Sequence, residues 1–150
     1  MGNSGARPYR SVLYIPASRE RALEKARELQ TDAIIFDLED AVSPEEKLRA
    51  RELLAGVLAE ADYGARTRIV RVNGLGTEWV AGDLAAFGGH PGVDAVLVPK
   101  VNSPADLDAV GDLVTAPLWA MLETAKGCLN AGAIARHPRL EGMVMGTNDL

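Results

Sequence analysis

Cysteine and histidine are scarce in this chain. Its 150 residues include one cysteine, Cys128, and two histidines, His90 and His137. A single cysteine excludes a disulfide within the chain and suits a reducing compartment. Both histidines fall in predicted loops or helix ends, so we do not expect a zinc site.

Long apolar runs and dense basic runs are also missing. No apolar stretch approaches the roughly 18 residues of a membrane-spanning helix. The first ten residues, MGNSGARPYR, lack the apolar core of a secretory signal. The formal net charge is −5, which argues against a nucleic-acid surface. We therefore expect a cytoplasmic protein that binds neither membranes nor nucleic acid.

Familiar phosphate-binding and nucleophile motifs are absent as well. The segment GLGTEW (74–79) offers two glycines, but Trp79 stands where a dinucleotide fingerprint needs a third. It also follows the third predicted strand, whereas the fingerprint follows the first. We find no Walker-type sequence and no G-x-S-x-G elbow.

What the chain does contain is a regular alternation of short apolar segments and amphipathic segments. The apolar segments do not alternate with polar residues, as expected for strands covered on both faces, and they span 11–16, 32–40, 66–74, 93–101, 117–124 and 141–150. A segment with helical spacing follows each of the first five. The order predicts one domain with six parallel strands and five helices.

The second predicted helix has the clearest pattern. Its apolar stripe consists of Ala50, Leu54, Val57, Leu58 and Ala61. Ser43, Pro44 and Glu46 predict its start as a capping box with proline at the first helical position. The segment SPAD (103–106) repeats that signal more weakly.

Polar residues follow every predicted strand from the second onward. They are Asp37, Glu39, Asp40, Arg71, Asn73, Lys100, Glu123, Thr124, Thr147, Asn148 and Asp149. An open sheet binds ligands at one switch point, whereas a (β/α)₈ barrel collects side chains from many strands around one mouth. The pattern favours the TIM barrel over the open sheet. A full barrel needs about 250 residues and eight strands, so we expect residues 1–150 to be the N-terminal portion of a single barrel domain in a longer protein.

Clustered carboxylates repel one another unless cations join them. Arg71 and Lys100 are two candidate cations, and a divalent metal ion is a third. Arg71 could simply form a structural ion pair, and Lys100 could pair with an acid or form a Schiff base with a substrate. These alternatives stay open at the level of residue types.

Magnesium is a divalent ion that fits these acids. Mg²⁺ prefers oxygen ligands and takes one or two protein carboxylates, leaving other positions to water and substrate. Glu123 and Asp149, from neighbouring strands, match that requirement. The acids after the second strand, Asp37, Glu39 and Asp40, could hold metal-bound waters.

Six segments, in this order, resemble a known family: RSVLYIPASRERALEKA, DAIIFDLEDAVSPEEK, RVNG, VLVPKV, WAMLETAKGCLNA and GMVMGTNDL. The chain resembles the citrate lyase β-subunit-like family of the HpcH/HpaI aldolase superfamily, in the branch that acts on malyl-CoA. The resemblance implies a Mg²⁺-dependent TIM barrel, with Mn²⁺ as an alternative ion, assembled into homotrimers or hexamers.

The resemblance also implies residue roles. Glu123 and Asp149 match the metal carboxylates, and Arg71 matches the arginine that holds the reacting carboxylate or carbonyl group. Further matches are the acids that hydrogen-bond metal waters, Glu39 and Asp40, and the positions near the CoA moiety, Arg19 and Lys25. Ala17 departs from the Pro-Gly-Ser loop of many relatives at a position without a catalytic role.

The expected substrate is a short β-hydroxyacyl-CoA such as (S)-malyl-CoA. A lyase would cleave it to glyoxylate and acetyl-CoA, and a thioesterase would hydrolyse it to malate and CoA. The alternatives are a citryl- or citramalyl-CoA lyase, a Schiff-base aldolase using Lys100, and a non-catalytic subunit.

Overall fold

The computed structural model describes residues 7–150. Residues 1–6, which belong to the segment without a predicted secretory signal, lie outside the described residues. The strands are β1 Val12–Pro16, β2 Ala33–Asp37, β3 Thr67–Arg71, β4 Ala95–Val98, β5 Leu118–Leu122 and β6 Leu140–Met145. They form one sheet in the order β1-β2-β3-β4-β5-β6, with every neighbouring pair parallel. The six predicted parallel strands are confirmed.

The helices that follow the strands are α1 Glu20–Ala26, α2 Lys47–Glu60, α3 Val80–Phe87, α4 Pro104–Gly111, α5 Ala125–Leu129 and α6 Ala131–Ala135. The prediction of five helices is wrong in one detail, because the fifth is divided at Asn130. The Asn130 side-chain amide donates to the Asn102 carbonyl at 2.7 Å. Its backbone, at φ −94° and ψ 7°, leaves the helical region.

The start of α2 also differs from the prediction. The Ser43 hydroxyl meets the Glu46 carboxylate at 3.4 Å and caps no backbone N–H group. A single 3₁₀ turn intervenes, and α2 begins at Lys47, whose buried ammonium donates to two carbonyls of the loop after β2 at 2.9 and 2.8 Å. At α4, by contrast, the Asp106 carboxylate accepts the Ser103 N–H at 3.2 Å. Of the two sequence signals, the weaker one, SPAD, is therefore the one in which the acid of the first turn accepts the N–H group of the cap residue, as in a capping box.

Strand alternation divides the core into two layers. Side chains on the outer face of the sheet pack against the helices; Leu54 of α2 is fully buried there. Side chains on the inner face form a second cluster that includes Ile35, Ile69, Leu97 and Trp119. The curved sheet is a half-barrel with helices outside, so the α/β barrel prediction is confirmed for residues 7–150.

None of the helices in the described residues combines the length and the apolar character that crossing a membrane requires.

Candidate active site

A pocket opens at the carboxyl ends of the strands, where the sequence predicted a barrel mouth. Its lining comes from five strands and the residues after them: Tyr14, Asp37, Asp40, Ala41, Arg71, Met121, Glu123, Met145, Gly146, Thr147, Asn148 and Asp149. Parallel strands all end on the same side of the sheet, which is why residues so far apart in sequence meet here. The strand-end acids and Arg71 are thus brought to one place.

Arg71 and Asp37 form the buried foundation of this pocket. They are directly opposite one another in the register of β2 and β3. The Arg71 guanidinium donates from Nε and Nη2 to the two Asp37 carboxylate oxygens at 2.8 and 2.6 Å. Asp37 also accepts the N–H groups of Glu39 and Ala41, so it fixes the turn after β2. Burial by itself would lower the pKa of Arg71, but the hydrogen bonds to Asp37 together with the charges of Asp37 and Glu39 outweigh it and raise that pKa, so the group stays charged. The structural ion pair considered for Arg71 is therefore present, in a side chain that also faces the pocket.

Glu39 connects two cations. Its carboxylate lies 3.2 Å from Arg71 Nη1 on one side and 2.5 Å from Lys100 Nζ on the other. The side chain is only 9% exposed, so both charges offset the cost of burying it. Asp40, the next residue, is exposed at the pocket rim.

Lys100 reaches two further acids across the mouth. Its ammonium nitrogen is 4.0 Å from Glu123 Oε1 and 3.6 Å from Asp149 Oδ2. Glu123 Oε1 and Asp149 Oδ2 therefore lie no further apart than the sum of their distances to the Lys100 nitrogen. Glu123 and Asp149, 26 positions apart in sequence, therefore both lie next to the same ammonium group.

Glu123 is held in place by the backbone on both sides. Its Oε1 accepts the Lys100 N–H at 2.8 Å. On the other side, a Cβ atom at Gly146 would lie 2.8 Å from Glu123 Oε2, so only glycine allows this close approach. Glu123 is 3% exposed. Burial raises its pKa, and the Lys100 N–H and ammonium only partly oppose the shift. The ionised carboxylate is consequently short of positive charge.

These groups fit a magnesium ion. Within residues 7–150, no group of three or more His, Cys, Asp or Glu residues is arranged to hold a metal by protein ligands alone. Mg²⁺ is commonly held by one or two carboxylates and otherwise by water and substrate. Glu123, which is buried and whose negative charge Lys100 balances only in part, and the more exposed Asp149 fit that description.

Two of the predicted strand-end residues serve the scaffold instead. Asn73 donates from its backbone and side chain to the buried Asp83 carboxylate at 2.9 and 2.7 Å. The Thr124 hydroxyl accepts the Gly127 N–H and donates to Asn102, which fixes the start of α5. Neither residue lines the mouth pocket.

Arg19 and Lys25 are not among the residues that line the mouth pocket. Both side chains are exposed, Arg19 just before α1 and Lys25 in its last turn. The hydroxyl of neighbouring Ser18 is buried and has no hydrogen-bond partner in the part of the chain that the structure describes. Their assignment to CoA binding stays a prediction.

Sequence reasoning missed three features of the pocket. The centre of the Tyr14 ring, on β1, lies 5.3 Å from the Arg71 guanidinium carbon. The Met121 sulfur accepts a hydrogen bond from Arg71 Nη1 at 3.5 Å. Strand alternation could have placed both on the inner face. Gly146 could have been found as a glycine immediately after a strand, a position typical of close backbone approach.

Comparison with known proteins identifies the family. The HpcH/HpaI aldolase/citrate lyase model matches residues 10–150. The chain belongs to this family. The resemblance seen in the sequence is thereby confirmed, and the family's TIM-barrel relatives agree with the half-barrel described above.

Two curated relatives and one structural relative are informative. The chain is 64% identical over 146 residues to a (3S)-malyl-CoA thioesterase of Cereibacter sphaeroides, covering 97% of this chain and 51% of that protein. It is 35% identical over 158 residues to an L-malyl-CoA/beta-methylmalyl-CoA lyase of the same species, covering 96% and 50%. Protein CitE of Mycobacterium tuberculosis, in complex with magnesium and pyruvate, superposes with a TM-score of 0.79 at 32% identity, covering 97% and 58%. A further complex of that protein contains magnesium, acetoacetate and coenzyme A (TM-score 0.75, 33% identity, covering 93% and 49%). The chain spans about half the length of the curated relatives that it matches.

Proposed function

We propose that this chain carries the magnesium site of an enzyme that hydrolyses the thioester of a short β-hydroxyacyl-CoA such as (S)-malyl-CoA. The observation that carries the proposal is the convergence of Glu123 and Asp149 on one Lys100 ammonium group, next to Arg71. Magnesium complexes of a structural relative and the malyl-CoA relatives in the same family support it.

Each residue then has a chemical task. Glu123 and Asp149 would hold Mg²⁺, which when bound polarises a carbonyl oxygen of the acyl chain. Arg71, fixed by Asp37, presents a permanent positive charge that would orient the carboxylate or carbonyl group of the acyl chain. Glu39 and Asp40 would accept hydrogen bonds from metal-bound water. In hydrolysis, water adds to the thioester carbonyl, the C–S bond breaks and the CoA sulfur leaves as thiol.

The CoA moiety would approach the loop between β1 and α1. The exposed cations Arg19 and Lys25 suit its phosphate groups. The buried Ser18 hydroxyl, which has no hydrogen-bond partner within residues 7–150, could donate to a ligand after a small shift of this loop. A complex of CitE with coenzyme A supports acyl-CoA binding by this fold.

Two larger-scale features belong to the same proposal. The chain would supply the first six strands of an eight-stranded barrel, since the order of its sheet leaves β1 and β6 unpaired with each other. The homotrimer or hexamer, the cytoplasmic location and the acceptance of Mn²⁺ stay predictions from the resemblance and composition.

A lyase is the second candidate, and the 35%-identical malyl-CoA lyase supports it. The thioesterase is preferred because a relative with that activity is 64% identical. Citryl- or citramalyl-CoA cleavage remains a more distant alternative. A Schiff-base aldolase is disfavoured: burial alone would lower the pKa of Lys100, but the hydrogen bond to Glu39 and the charges of Glu39 and Glu123 raise it, and a nucleophilic amine needs the opposite.

Product analysis tests the proposal. The full-length protein is incubated with (S)-malyl-CoA and Mg²⁺, and the products are separated by chromatography. We expect malate and free CoA, with turnover abolished by EDTA. Glyoxylate and acetyl-CoA would establish the lyase instead. Turnover that survives EDTA, or no turnover of any malyl-, citryl- or citramalyl-CoA, would contradict the proposal.

A further inference from the structure

Among residues 7–150, Lys100 holds a position at the mouth that no other cation shares. Its ammonium is in contact with Glu39 and lies within 4.0 Å of Glu123 and 3.6 Å of Asp149. No other Lys, Arg or His nitrogen within residues 7–150 comes within 4.0 Å of Glu123 or Asp149. Arg71, the cation that lines the pocket, is paired with Asp37 and Glu39.

The backbone fixes Lys100 in this place. Its φ of 52° is in the left-handed region, and it is the only non-glycine residue with positive φ in the described chain. Lysine adopts this conformation at a cost, and such residues persist where surrounding structure holds them. Here the Lys100 N–H donates to Glu123, so the same residue contacts Glu123 through its backbone and through its side chain.

We propose that Lys100 is a positioning residue whose ammonium is the stand-in cation of the magnesium site. It keeps Glu123 and Asp149 together before the metal ion arrives, and it moves away from them, keeping its hydrogen bond to Glu39, when Mg²⁺ binds. This inference rests on the proposed function, because it assigns the metal site to the same two carboxylates.

The electrostatics of the cluster give the proposal its consequence. Without the metal ion, three carboxylates surround one ammonium, so removing that charge leaves them to repel one another. With the metal ion, the ammonium and Mg²⁺ compete for the same oxygens, and like charges at such distances repel strongly. Lys100 has a flexible four-carbon stem and already donates a hydrogen bond to Glu39, so rotation of the side chain would take the ammonium away from the other two carboxylates without leaving it unpaired. The residue therefore stabilises the metal-free protein and weakens its affinity for Mg²⁺.

The test compares Lys100→Met with Lys100→Arg in the full-length protein. Methionine keeps an unbranched side chain and the backbone N–H but removes the charge, whereas arginine keeps the charge. Lys126→Met, at an exposed position on α5, is the control for losing a surface lysine. Magnesium affinity is measured by calorimetry without substrate, and Tm is measured in EDTA and in saturating Mg²⁺.

For Lys100→Met we expect a lower Tm in EDTA and a larger rise of Tm on adding Mg²⁺ than in the wild type. The variant should also bind Mg²⁺ on the order of tenfold more tightly, because the repulsion between the ammonium and the metal ion is removed. Lys100→Arg and Lys126→Met should bind Mg²⁺ within about twofold of the wild type, because neither loses the local charge. The proposal is overturned if Lys100→Met binds Mg²⁺ no tighter than the wild type, if it keeps the wild-type Tm in EDTA, or if Lys100→Arg behaves like Lys100→Met. A wild-type protein that binds no Mg²⁺ at all would overturn the proposed function as well, which separates the two failures.

Discussion

The substitution Asp37→Asn tests the buried ion pair between Asp37 and Arg71 beneath the mouth pocket. Asp37 is 2% exposed and accepts two hydrogen bonds from Arg71 and two from backbone N–H groups. Asparagine has the same shape but lacks the charge, and it can accept at only one of its two side-chain positions. Arg71 would remain charged and 9% exposed, with Glu39 at 3.2 Å as its remaining ion-pair partner.

The expected loss of stability is large. Removing one partner of a buried ion pair typically costs about 3–5 kcal/mol, because the other charge stays behind. For a domain of 150–250 residues, each kcal/mol lowers Tm by about 2–4 °C, so we expect a fall on the order of 10 °C. Glu24→Gln is the matched control: it removes the exposed pair with Arg27, which is worth about 0.2–0.5 kcal/mol.

Differential scanning calorimetry of the full-length protein, with urea titration as a second measure, gives the answer. A Tm for Asp37→Asn within about 2 °C of the wild type would refute the reasoning that this ion pair anchors the pocket. A fall as large in Glu24→Gln would show that the effect is not specific to the buried pair.

Three further predictions follow from the site and the inner core layer. Glu123→Gln should abolish Mg²⁺ binding and turnover yet raise the Tm of the metal-free protein at pH 7. The sign follows because the raised pKa of Glu123 means that the stability it contributes is present below its unfolded-state pKa and lost as pH rises through its folded-state pKa. The gain in Tm should therefore vanish toward pH 4, and a pH-independent gain would contradict this explanation. Gly142→Ala would place a Cβ atom in steric overlap with Trp119 ring carbons, so overpacking should cost about 1–3 kcal/mol in urea denaturation, and an unchanged midpoint would contradict this prediction. Borohydride treatment with substrate should leave Lys100 unlabelled in mass spectra, and a covalent adduct there would revive the Schiff-base reaction.

The sheet could be predicted because it depends on repeated local signals. Each strand is a short apolar run bounded by turns, and alternation with helices forces parallel pairing. The helix details depended on individual contacts instead. Asn130 breaks the fifth helix through a bond to Asn102, and buried Lys47 sets where α2 begins. Neither contact can be read from helical periodicity.

The candidate site was predictable in membership more than in geometry. Acids and cations at the strand ends predicted a charged mouth, and Arg71, Glu123 and Asp149 all line the mouth pocket. Residue types alone do not show which of the strand-end residues line the pocket and which hold the scaffold. Asn73, for example, is a polar strand-end residue like the others, and only its hydrogen bonds to Asp83 show that it belongs to the scaffold. The central position of Lys100 likewise depends on a left-handed backbone conformation, for which lysine gives no sequence signal.

Calorimetric titration of the full-length protein with Mg²⁺, for the wild type and for Glu123→Gln and Asp149→Asn, tests the central claim most directly. If these two carboxylates hold one ion between them, the wild type binds one Mg²⁺ per chain and each variant loses that binding while remaining folded. Unchanged Mg²⁺ binding in either folded variant would contradict the account, since the metal ion would then be held elsewhere.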